Sequence, residues 1–287
     1  MKRIATVMAF SAACVFSGQV TISFLGDCTI GCDARWATFD RYVERCGYAY
    51  FFSGVKSVLA ADDYTVANLE TAIIDSGTPV EKQFRFRGRP EYLNILREGS
   101  VECVSTANNH AWDYGDSGYA ETQRNLGRYG IDFFGYDKVL YRDIGDLRFA
   151  FIGRSFRLQD TLFPFIKSIR DSVDFIVVVM HWGQERRYRP DENQRTMGRA
   201  LIDAGADLVV GHHPHVLQPV EEYRGRYIAY SVGNFVFGGN INPREKRTMI
   251  LQAFFSKGRA PAINKIPCRI SSVDTTNDFR PVIVYDK

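Results

Sequence analysis

The sequence predicts an α/β layered fold, because apolar runs typical of buried strands alternate with helical stretches along the chain. The predicted strands share an apolar core sequence bounded by Gly or polar residues, and they lie at 20–25, 64–67, 101–105, 175–180, 208–210 and 226–230. Helices are predicted between them, for instance at 117–129 and 194–204, and strand-like segments follow at 249–255 and 281–285. The absence of repeats and low-complexity segments predicts one domain over residues 19–287.

Composition is that of an ordinary globular protein. The chain has 287 residues, of which 45% are hydrophobic and 24% charged, enough to bury a large core. Its net charge of +3 is too small to indicate a nucleic-acid partner, and none is expected.

The N-terminus resembles a short secretory signal. Lys2 and Arg3 precede the apolar stretch 4–10 and the small residues 11–13. We therefore expect residues 1–18 to direct export or association with the cell envelope. The alternative is an apolar N-terminal element of a cytoplasmic protein.

The six cysteines do not identify the compartment. Cys28 and Cys32 lie beside a predicted site, but they form no Cys-x-x-Cys pattern. We expect them to be small buried residues, and the sequence leaves a disulfide between them open.

A cluster of histidines follows the strand at 208–210. Three of the 5 histidines lie within Gly211-His212-His213-Pro214-His215. The spacing of His213 and His215 can direct two imidazoles at one metal ion or at two adjacent ions. This segment therefore predicts a metal site.

Further metal-capable side chains follow the other strands. Each of five successive strands ends in such a residue, and the set is Asp27, Glu70, Asn109, His181, and His213 with His215. Each has a structural alternative, such as a turn residue, a helix cap or a core histidine. Because strand ends on one edge of a sheet converge, their repetition favours a shared metal site.

This ligand set predicts hydrolytic chemistry. Oxygen and nitrogen ligands without a thiolate suit one or two divalent ions such as Mn, Fe or Zn. Six ligands fit a binuclear centre with ions ~3.5–4 Å apart, bridged by Glu70, which activates water for attack on a phosphoester or an amide. His110 is positioned to act as the general acid, and Asp113 to orient its imidazole.

Several motifs together resemble a known family. They are Gly26-Asp27, Asn68-Leu69-Glu70, Asn108-Asn109-His110-x-x-Asp113-x-Gly115, His181-Trp182-Gly183-x-Glu185, Gly211-His212-His213-Pro214-His215-Val216 and Ser231-x-Gly233-Asn234-Phe235. Over residues 20–240 the chain resembles the capsule-synthesis CapA family, which is associated with poly-γ-glutamate, within the calcineurin-like metallophosphoesterases.

The resemblance implies a four-layer α/β/β/α sandwich with a dinuclear site on one edge. It implies Asp27, Glu70, Asn109, His181, His213 and His215 as ligands and His110 as the acid. It also implies an anionic polymer or phosphoester as substrate and capsule-synthesis membrane proteins as partners.

One position departs from the wider superfamily. Its first motif is Asp-x-His, whereas Thr29 stands where that histidine is expected. The first metal therefore has one ligand fewer. His212 is the residue that can compensate, unless it points away.

Substrate-binding residues are predicted around the ligands. Arg85, Arg87 and Arg89 alternate with Phe84, Phe86 and Gly88, so a strand there presents three guanidinium groups on one face, either to grip an anion or as a solvated basic edge. A second basic cluster follows His181, and the other predicted site residues are Asn68, Glu185 and Asn234. The last fifty residues show no site chemistry.

The sequence thus predicts a CapA-like metal-dependent hydrolase acting on a phosphoester, or on an amide or ester of poly-γ-glutamate. Two alternatives stay open. One is a non-catalytic protein of capsule polymer binding or export. The other is a cytoplasmic metallophosphodiesterase unrelated to capsule.

Overall fold

The computed structural model describes residues 18–33, 35–156 and 161–285. The N-terminal segment on which the export prediction depends lies outside these residues. Within them, no helix combines the length and apolar character needed to cross a membrane.

The described residues form seventeen strands, six α-helices and three short 3-10 helices. The strands are β1 (Gln19–Thr29), β2 (Cys32–Asp33), β3 (Tyr64–Leu69), β4 (Ala72–Ile73), β5 (Phe86–Gly88), β6 (Cys103–Ser105), β7 (Asp132–Phe134), β8 (Leu140–Ile144), β9 (Leu147–Ser155), β10 (Phe175–His181), β11 (Leu208–His212), β12 (Val220–Tyr223), β13 (Arg226–Ala229), β14 (Asn234–Phe237), β15 (Arg247–Ser256), β16 (Ala262–Arg269) and β17 (Val282–Ile283). The α-helices are α1 (Thr38–Cys46), α2 (Lys56–Leu59), α3 (Leu93–Glu98), α4 (Gly115–Arg128), α5 (Leu162–Ile169) and α6 (Glu192–Ala204). The 3-10 helices are Tyr48–Tyr50, Pro90–Tyr92 and Arg170–Ser172.

The strands form two large mixed sheets. The first has the order β17-β16-β15-β1-β3-β6-β7, and β14 pairs in parallel with the end of β1. The second has the order β12-β13-β11-β10-β9-β8, with parallel pairing from β9 through β13 and antiparallel edges. A small sheet, β2-β5-β4, lies apart from both.

The two large sheets pack face to face. Alternate residues point inward, so Phe24 of β1 and Val177 of β10 share one buried cluster. Phe149 of β9 packs edge-on against Phe255 of β15, with ring centroids 5.1 Å apart. This interleaving of apolar side chains from both sheets forms the central core.

Helices cover the outer faces of the sheets. Leu93 in α3 packs in the cluster that includes Ala67 of β3. On the other side, Leu201 in α6 packs in the cluster that includes Val178 of β10. These contacts produce helix, sheet, sheet and helix layers, which confirms the predicted α/β/β/α sandwich.

Helix α6 shows how local sequence sets the element boundaries. Asp191 caps its N-terminus by accepting a hydrogen bond from the Gln194 amide at 2.8 Å, and the Gln194 side chain accepts one from the Asp191 amide at 3.1 Å. The helix ends before Gly205, whose φ of 118° lies in the left-handed region.

Two predicted strands are shorter than expected. The arginine-rich stretch forms a strand only over Phe86–Gly88, so Arg85 and Arg89 lie outside it. The last segment is a strand only over Val282–Ile283. The strand expected over residues 85–89 is therefore present only at residues 86–88.

Candidate metal centre

The edge formed by the carboxyl ends of the central strands carries the predicted ligands. Asp27 lies near the end of β1, and Glu70 directly follows β3. His181 is the last residue of β10, and His213 follows β11. Side chains from the two sheets therefore meet at one place, as expected for strand ends in α/β folds.

The deepest group in this site contains Glu70, His181 and His213. One ligand atom from each lies within 4.8 Å of the others. His181 Nε2 is 3.5 Å from Glu70 Oε1 and 2.9 Å from the side-chain oxygen of Asn109. Four of the six predicted ligands therefore lie together around the His181 ring.

A second group joins Asp27 to residues 211–215, called the histidine loop below. Asp27 Oδ2 lies 3.1 Å from His215 Nδ1, and Asp27, Glu70 and His215 also present ligand atoms within 4.8 Å of one another. Asn234 also contacts this ring, since its Oδ1 lies 2.8 Å from the same nitrogen of His215. The structure thus brings all six predicted ligands into one neighbourhood.

Several polar atoms of this site are buried without a hydrogen-bond partner among the described residues. They are both carboxylate oxygens of Glu70 and the Nδ1 atom of His213. Unpaired buried polar atoms are rare and costly in folded proteins, so they point to a missing partner. A carboxylate and imidazole nitrogens are the donors that transition-metal ions accept, and the residues present fit such an ion.

The electrostatics of the site lead to the same conclusion. Burial, together with the neighbouring charge of Asp27, raises the pKa of Glu70 well above its usual value. Burial also lowers the pKa of His213 to about 4 and that of His181 well below 6.5, which favours the neutral imidazoles that bind metals.

Asp27 and His215 behave in the opposite way. Burial alone would raise the pKa of Asp27, but hydrogen bonds from His212 and His215 hold it well below 3.8. Burial opposes a charge on His215, yet Glu70 and Asp27 raise its pKa to about 10. Asp27 thus stays negatively charged in this site and attracts a cation.

The histidine loop has a strained backbone. His213 has a φ of 95° and His215 a φ of 56°, both in the left-handed region that non-glycine residues seldom adopt. Gly211 before them lies so close to the residue after β13 that a Cβ atom would be 2.0 Å from the Tyr230 carbonyl oxygen. Strain of this kind is concentrated at functional sites, where the surrounding structure enforces it.

A network of amides supports the ligands. Asn68 donates to Asp27 Oδ1 at 2.8 Å, and its Nδ2 lies 3.4 Å from His181 Nδ1. Asn108 donates to Asn68 Oδ1 at 3.1 Å, and its own oxygen accepts from the His110 amide at 3.0 Å. Asn68, predicted to bind substrate, is buried and holds two predicted ligands instead.

His110 lies beside the centre with the predicted partner. Its Nδ1 is 2.6 Å from Asp113 Oδ2, and Lys82 donates to Asp113 Oδ1 at 2.8 Å. Lys82 also contacts His110 Nδ1 at 3.3 Å and donates to the Asn109 carbonyl oxygen at 2.7 Å. Lys82 was not predicted from the sequence, because nothing in the local pattern links it to partners 27–31 residues away.

Thr29 does not contribute to the centre. It is fully buried, and its hydroxyl is directed to the Glu70 carbonyl oxygen at 3.4 Å. His212 instead turns toward the site, with Nδ1 3.1 Å from Asp27 Oδ1. Cys28 and Cys32 are buried free thiols, which confirms that they are small buried residues and excludes a disulfide between them in this structure.

A cavity of about 620 Å³ opens over the centre. Its lining includes His110, His215, Asn234 and Glu185. Glu185, His213 and His215 also present ligand atoms within 4.8 Å of one another. Glu185 and Asn234 therefore lie where substrate-binding residues were predicted.

Arg85 and Arg87 are not among the residues that line this cavity. The Arg87 guanidinium instead donates to the Asp75 carbonyl oxygen at 2.6 Å. Their proposed contact with substrate stays a prediction.

Other lining residues were not expected. Asn242, Pro243, Arg244 and Glu245 form part of the wall, although no site chemistry was seen in the last fifty residues of the sequence. Phe156 also stands beside the centre, edge-on to His213 with ring centroids 4.6 Å apart. These positions depend on loop paths that show no periodic signal.

Comparison with known proteins identifies a family and a shared fold. The family model described as "Bacterial capsule synthesis protein PGA_cap" matches residues 21–160 and 157–239. A solved structure of a hypothetical protein from Thermus thermophilus superposes with a TM-score of 0.55 at 17% identity, over 86% of this chain and 99% of that one, which indicates a shared fold.

Two curated relatives are similar in sequence. "PGA biosynthesis protein CapA" of Bacillus subtilis (strain 168) is 32% identical over 249 residues, covering 76% of this chain and 63% of the relative. "Capsule biosynthesis protein CapA" of Bacillus anthracis is 26% identical over 284 residues, covering 88% and 68%. The chain thus spans just under two thirds of the first relative's length and just over two thirds of the second's. With the family model matching most of its length, the chain belongs to the bacterial capsule synthesis PGA_cap family.

Proposed function

We propose that this chain is a divalent-metal-dependent hydrolase of capsule polymer metabolism. Its substrate is a phosphoester, or an amide or ester bond of poly-γ-glutamate. The observation that carries the proposal is the buried group of Glu70, His181 and His213, whose ligand atoms lie within 4.8 Å of one another. Both carboxylate oxygens of Glu70 lack a hydrogen-bond partner among the described residues.

The residues that would hold the ion or ions are Asp27, Glu70, Asn109, His181, His213 and His215. One or two ions of Mn, Fe or Zn suit this set of oxygen and nitrogen donors. When bound, such an ion lowers the pKa of a coordinated water and stabilises negative charge on the substrate.

The chain supplies the proton donor. Among the described residues, the side-chain polar contacts of His110 use Nδ1, toward Asp113 and Lys82. Nε2 is therefore the ring nitrogen left for proton transfer, and His110 lines the cavity in which a leaving group would lie. Asp113 and Lys82 orient the ring.

The relatives supply the biological context. Their printed names place one in PGA biosynthesis and the other in capsule biosynthesis. We extend that context to this chain, together with a location at the cell envelope.

A second function is favoured by one observation. Thr29 replaces a predicted ligand and turns away from the centre. A chain with a depleted first metal site would bind the capsule polymer without hydrolysing it. His212, 3.1 Å from Asp27, opposes this interpretation because it offers a replacement nitrogen.

The test measures metal content and hydrolysis together. Wild type, Glu70→Gln and the double variant His213→Ala/His215→Ala would be compared by elemental analysis and by hydrolysis of a chromogenic phosphoester and of poly-γ-glutamate. Glu44→Gln, which removes an exposed carboxylate of α1, is the matched control.

We expect one or two ions per chain and measurable turnover in wild type and in Glu44→Gln, and loss of both in the site variants. Bound metal with no turnover on either substrate would favour the binding protein. No metal after reconstitution with Mn, Fe or Zn would refute the hydrolase.

A further inference from the structure

A second cavity adjoins the cavity over the metal centre. The first has a volume of about 620 Å³ and the second about 500 Å³. Residues 242–245 line both cavities. The two cavities together are called the channel below, and the lining of the second includes Arg247 at the start of β15.

Several charged groups of the channel have partners within the protein. Glu245 accepts from Arg247 at 2.6 Å, and Asp274 pairs with Arg269. Lys246 donates to the backbone carbonyl oxygens of Asp274 and Thr276 at 2.5 and 2.7 Å.

Two arginines of the channel differ from these. Arg186 lines the first cavity, and Arg244 lines both. Across residues 18–33, 35–156 and 161–285, neither guanidinium makes a salt bridge or a side-chain hydrogen bond. Two arginines without a carboxylate partner among these residues thus line the channel, and the Glu185 carboxylate lines the first cavity with them.

The loops that carry these arginines are fixed in place. The Arg186 amide donates to the Pro214 carbonyl oxygen at 2.8 Å, which ties Arg186 to the histidine loop. The Tyr188 hydroxyl lies 3.1 Å from a Glu245 carboxylate oxygen, joining the two loops. The arginines are therefore presented on braced loops, which reduces the entropy lost when a ligand binds.

We propose that this channel binds an extended polycarboxylate chain, with Arg186 and Arg244 pairing with two carboxylates of that chain. The inference rests on the proposed function, since it places the polymer in that site. Guanidinium forks match carboxylates in bidentate geometry, and the volume far exceeds what a single small anion needs.

The walls favour a polymer with apolar segments between its charges. Phe84, Phe86 and Phe237 line the first cavity beside the cations. Methylene groups of a polyglutamate backbone and side chain can pack on these rings, whereas a nucleic acid requires a longer row of cations for its phosphates.

The test is a binding measurement that does not depend on turnover. Fluorescein-labelled poly-γ-glutamate of about 20 residues would be titrated with the 287-residue chain in EDTA, and binding followed by anisotropy. The double variant Arg186→Gln/Arg244→Gln would be compared with Arg97→Gln/Arg124→Gln, which removes the same charge from two exposed arginines of α3 and α4.

We expect the channel variant to bind on the order of tenfold more weakly or worse, and the control variant to bind like wild type. Equal affinity in all three proteins would overturn the proposal. An equal loss in both variants would also overturn it, because it would show attraction to net charge alone. Circular dichroism establishes that the variants fold.

Further probes identify the ligand class. Binding should strengthen from tri-γ-glutamate to the longer polymer. If free glutamate or inorganic phosphate competes as well as the polymer, an extended site is refuted. If a labelled oligo-dT binds more tightly and depends on the same arginines, the channel belongs to nucleic acid instead.

Polymer binding in the channel can be distinguished from hydrolysis at the metal centre. Glu70→Gln in the presence of Mn²⁺ should bind the polymer without cleaving it. Polymer binding that depends on the two arginines, in a wild type that hydrolyses nothing, would support the channel and refute the hydrolase. Hydrolysis of the polymer, with polymer binding that does not depend on the two arginines, would support the hydrolase and refute the channel.

Discussion

His110 Nδ1 lies 2.6 Å from one carboxylate oxygen of Asp113, and Lys82 donates to the other oxygen at 2.8 Å. The Asp113 side chain is 1% exposed, whereas that of Lys82 is 31% exposed. A buried carboxylate therefore depends on one cation that reaches it from the surface. That dependence gives the first prediction.

Lys82→Met should lower the free energy of unfolding by about 1–3 kcal/mol, since it leaves a buried carboxylate without its cation. It should also lower hydrolysis about tenfold or more, because His110 loses its support. Urea denaturation and steady-state kinetics measure the two effects, and Lys82→Arg should restore part of each.

The control for this prediction is Lys56→Met. Lys56 is 3.9 Å from Glu98, and about half of each side chain is exposed. Its loss should change stability by less than about 0.5 kcal/mol. Equal effects at both lysines would contradict the role given to Lys82.

Glu70→Gln should have opposite effects on the metal-free and metal-bound protein. In EDTA it removes a buried carboxylate with no partner among the described residues, so the melting temperature should rise. With Mn²⁺ or Zn²⁺ at about a hundredfold excess over Kd, wild type should gain about 2.7 kcal/mol and the variant little. Calorimetry with and without metal measures both effects. A lower melting temperature of the variant than of wild type in EDTA would contradict the prediction.

Asn68→Ala should weaken both the fold and metal binding. It removes the donor to Asp27 and leaves the Asn108 amide without one of its acceptors. We expect a loss of about 1–3 kcal/mol in stability and roughly 10- to 100-fold in metal affinity, as orienting residues around metal ligands typically show. Metal titration monitored by calorimetry gives the affinity. An unchanged affinity would mean that Asn68 only stabilises the fold.

Gly211→Ala should be strongly destabilising, by about 3 kcal/mol or more. Its Cβ would lie 2.0 Å from the Tyr230 carbonyl oxygen and 2.5 Å from Trp182 Nε1, so the histidine loop must move. Gly127→Ala in α4 is the matched control, because a Cβ there meets nothing within 4 Å. The control should gain up to about 1 kcal/mol from helix propensity, as chemical denaturation would show.

Asp62 predicts a pH dependence of stability. Burial raises its pKa from 3.8 to about 6, Glu102 adds to the shift, and hydrogen bonds from Ser23 and Thr65 oppose it. A pKa raised on folding means that the folded state favours the protonated form. The Asp62 contribution therefore lowers stability as pH rises from about 4 to about 6.

Asp62→Asn should remove this loss. We expect the variant to be about 1–2 kcal/mol more stable than wild type at pH ~7.5 and equal to it near pH ~4. Denaturation at a series of pH values measures the difference. Asp146→Asn, at the exposed turn between β8 and β9, controls for net charge. A constant difference at every pH would rule out the titration of Asp62.

The sequence was sufficient for the parts of the site set by local pattern. Asp27, Glu70 and His181 were predicted because each comes at the end of a buried strand, and parallel strands bring such ends together. The sandwich followed from the family motifs and is confirmed by the two sheets.

Other parts could not be predicted from local pattern. Lys82 and Arg244 lie on segments without periodicity, and only the folded loops bring them to the site. Arg85 and Arg87 were assigned from strand alternation, which holds for only three residues there. The turning of His212 toward Asp27 depends on the backbone path of the histidine loop, which motif spacing alone does not determine.

The parallel pairing of β14 with β1 has a consequence for biosynthesis. It sets Asp27 beside Asn234, which are separated by most of the chain, and Asn234 holds His215. A nascent chain on the ribosome therefore carries Asp27 and Glu70 for most of its elongation without the residues that complete their surroundings. Loop closure over such a distance is slow, so the centre forms late in folding. A chain released before Asn234 is added would lack a complete centre.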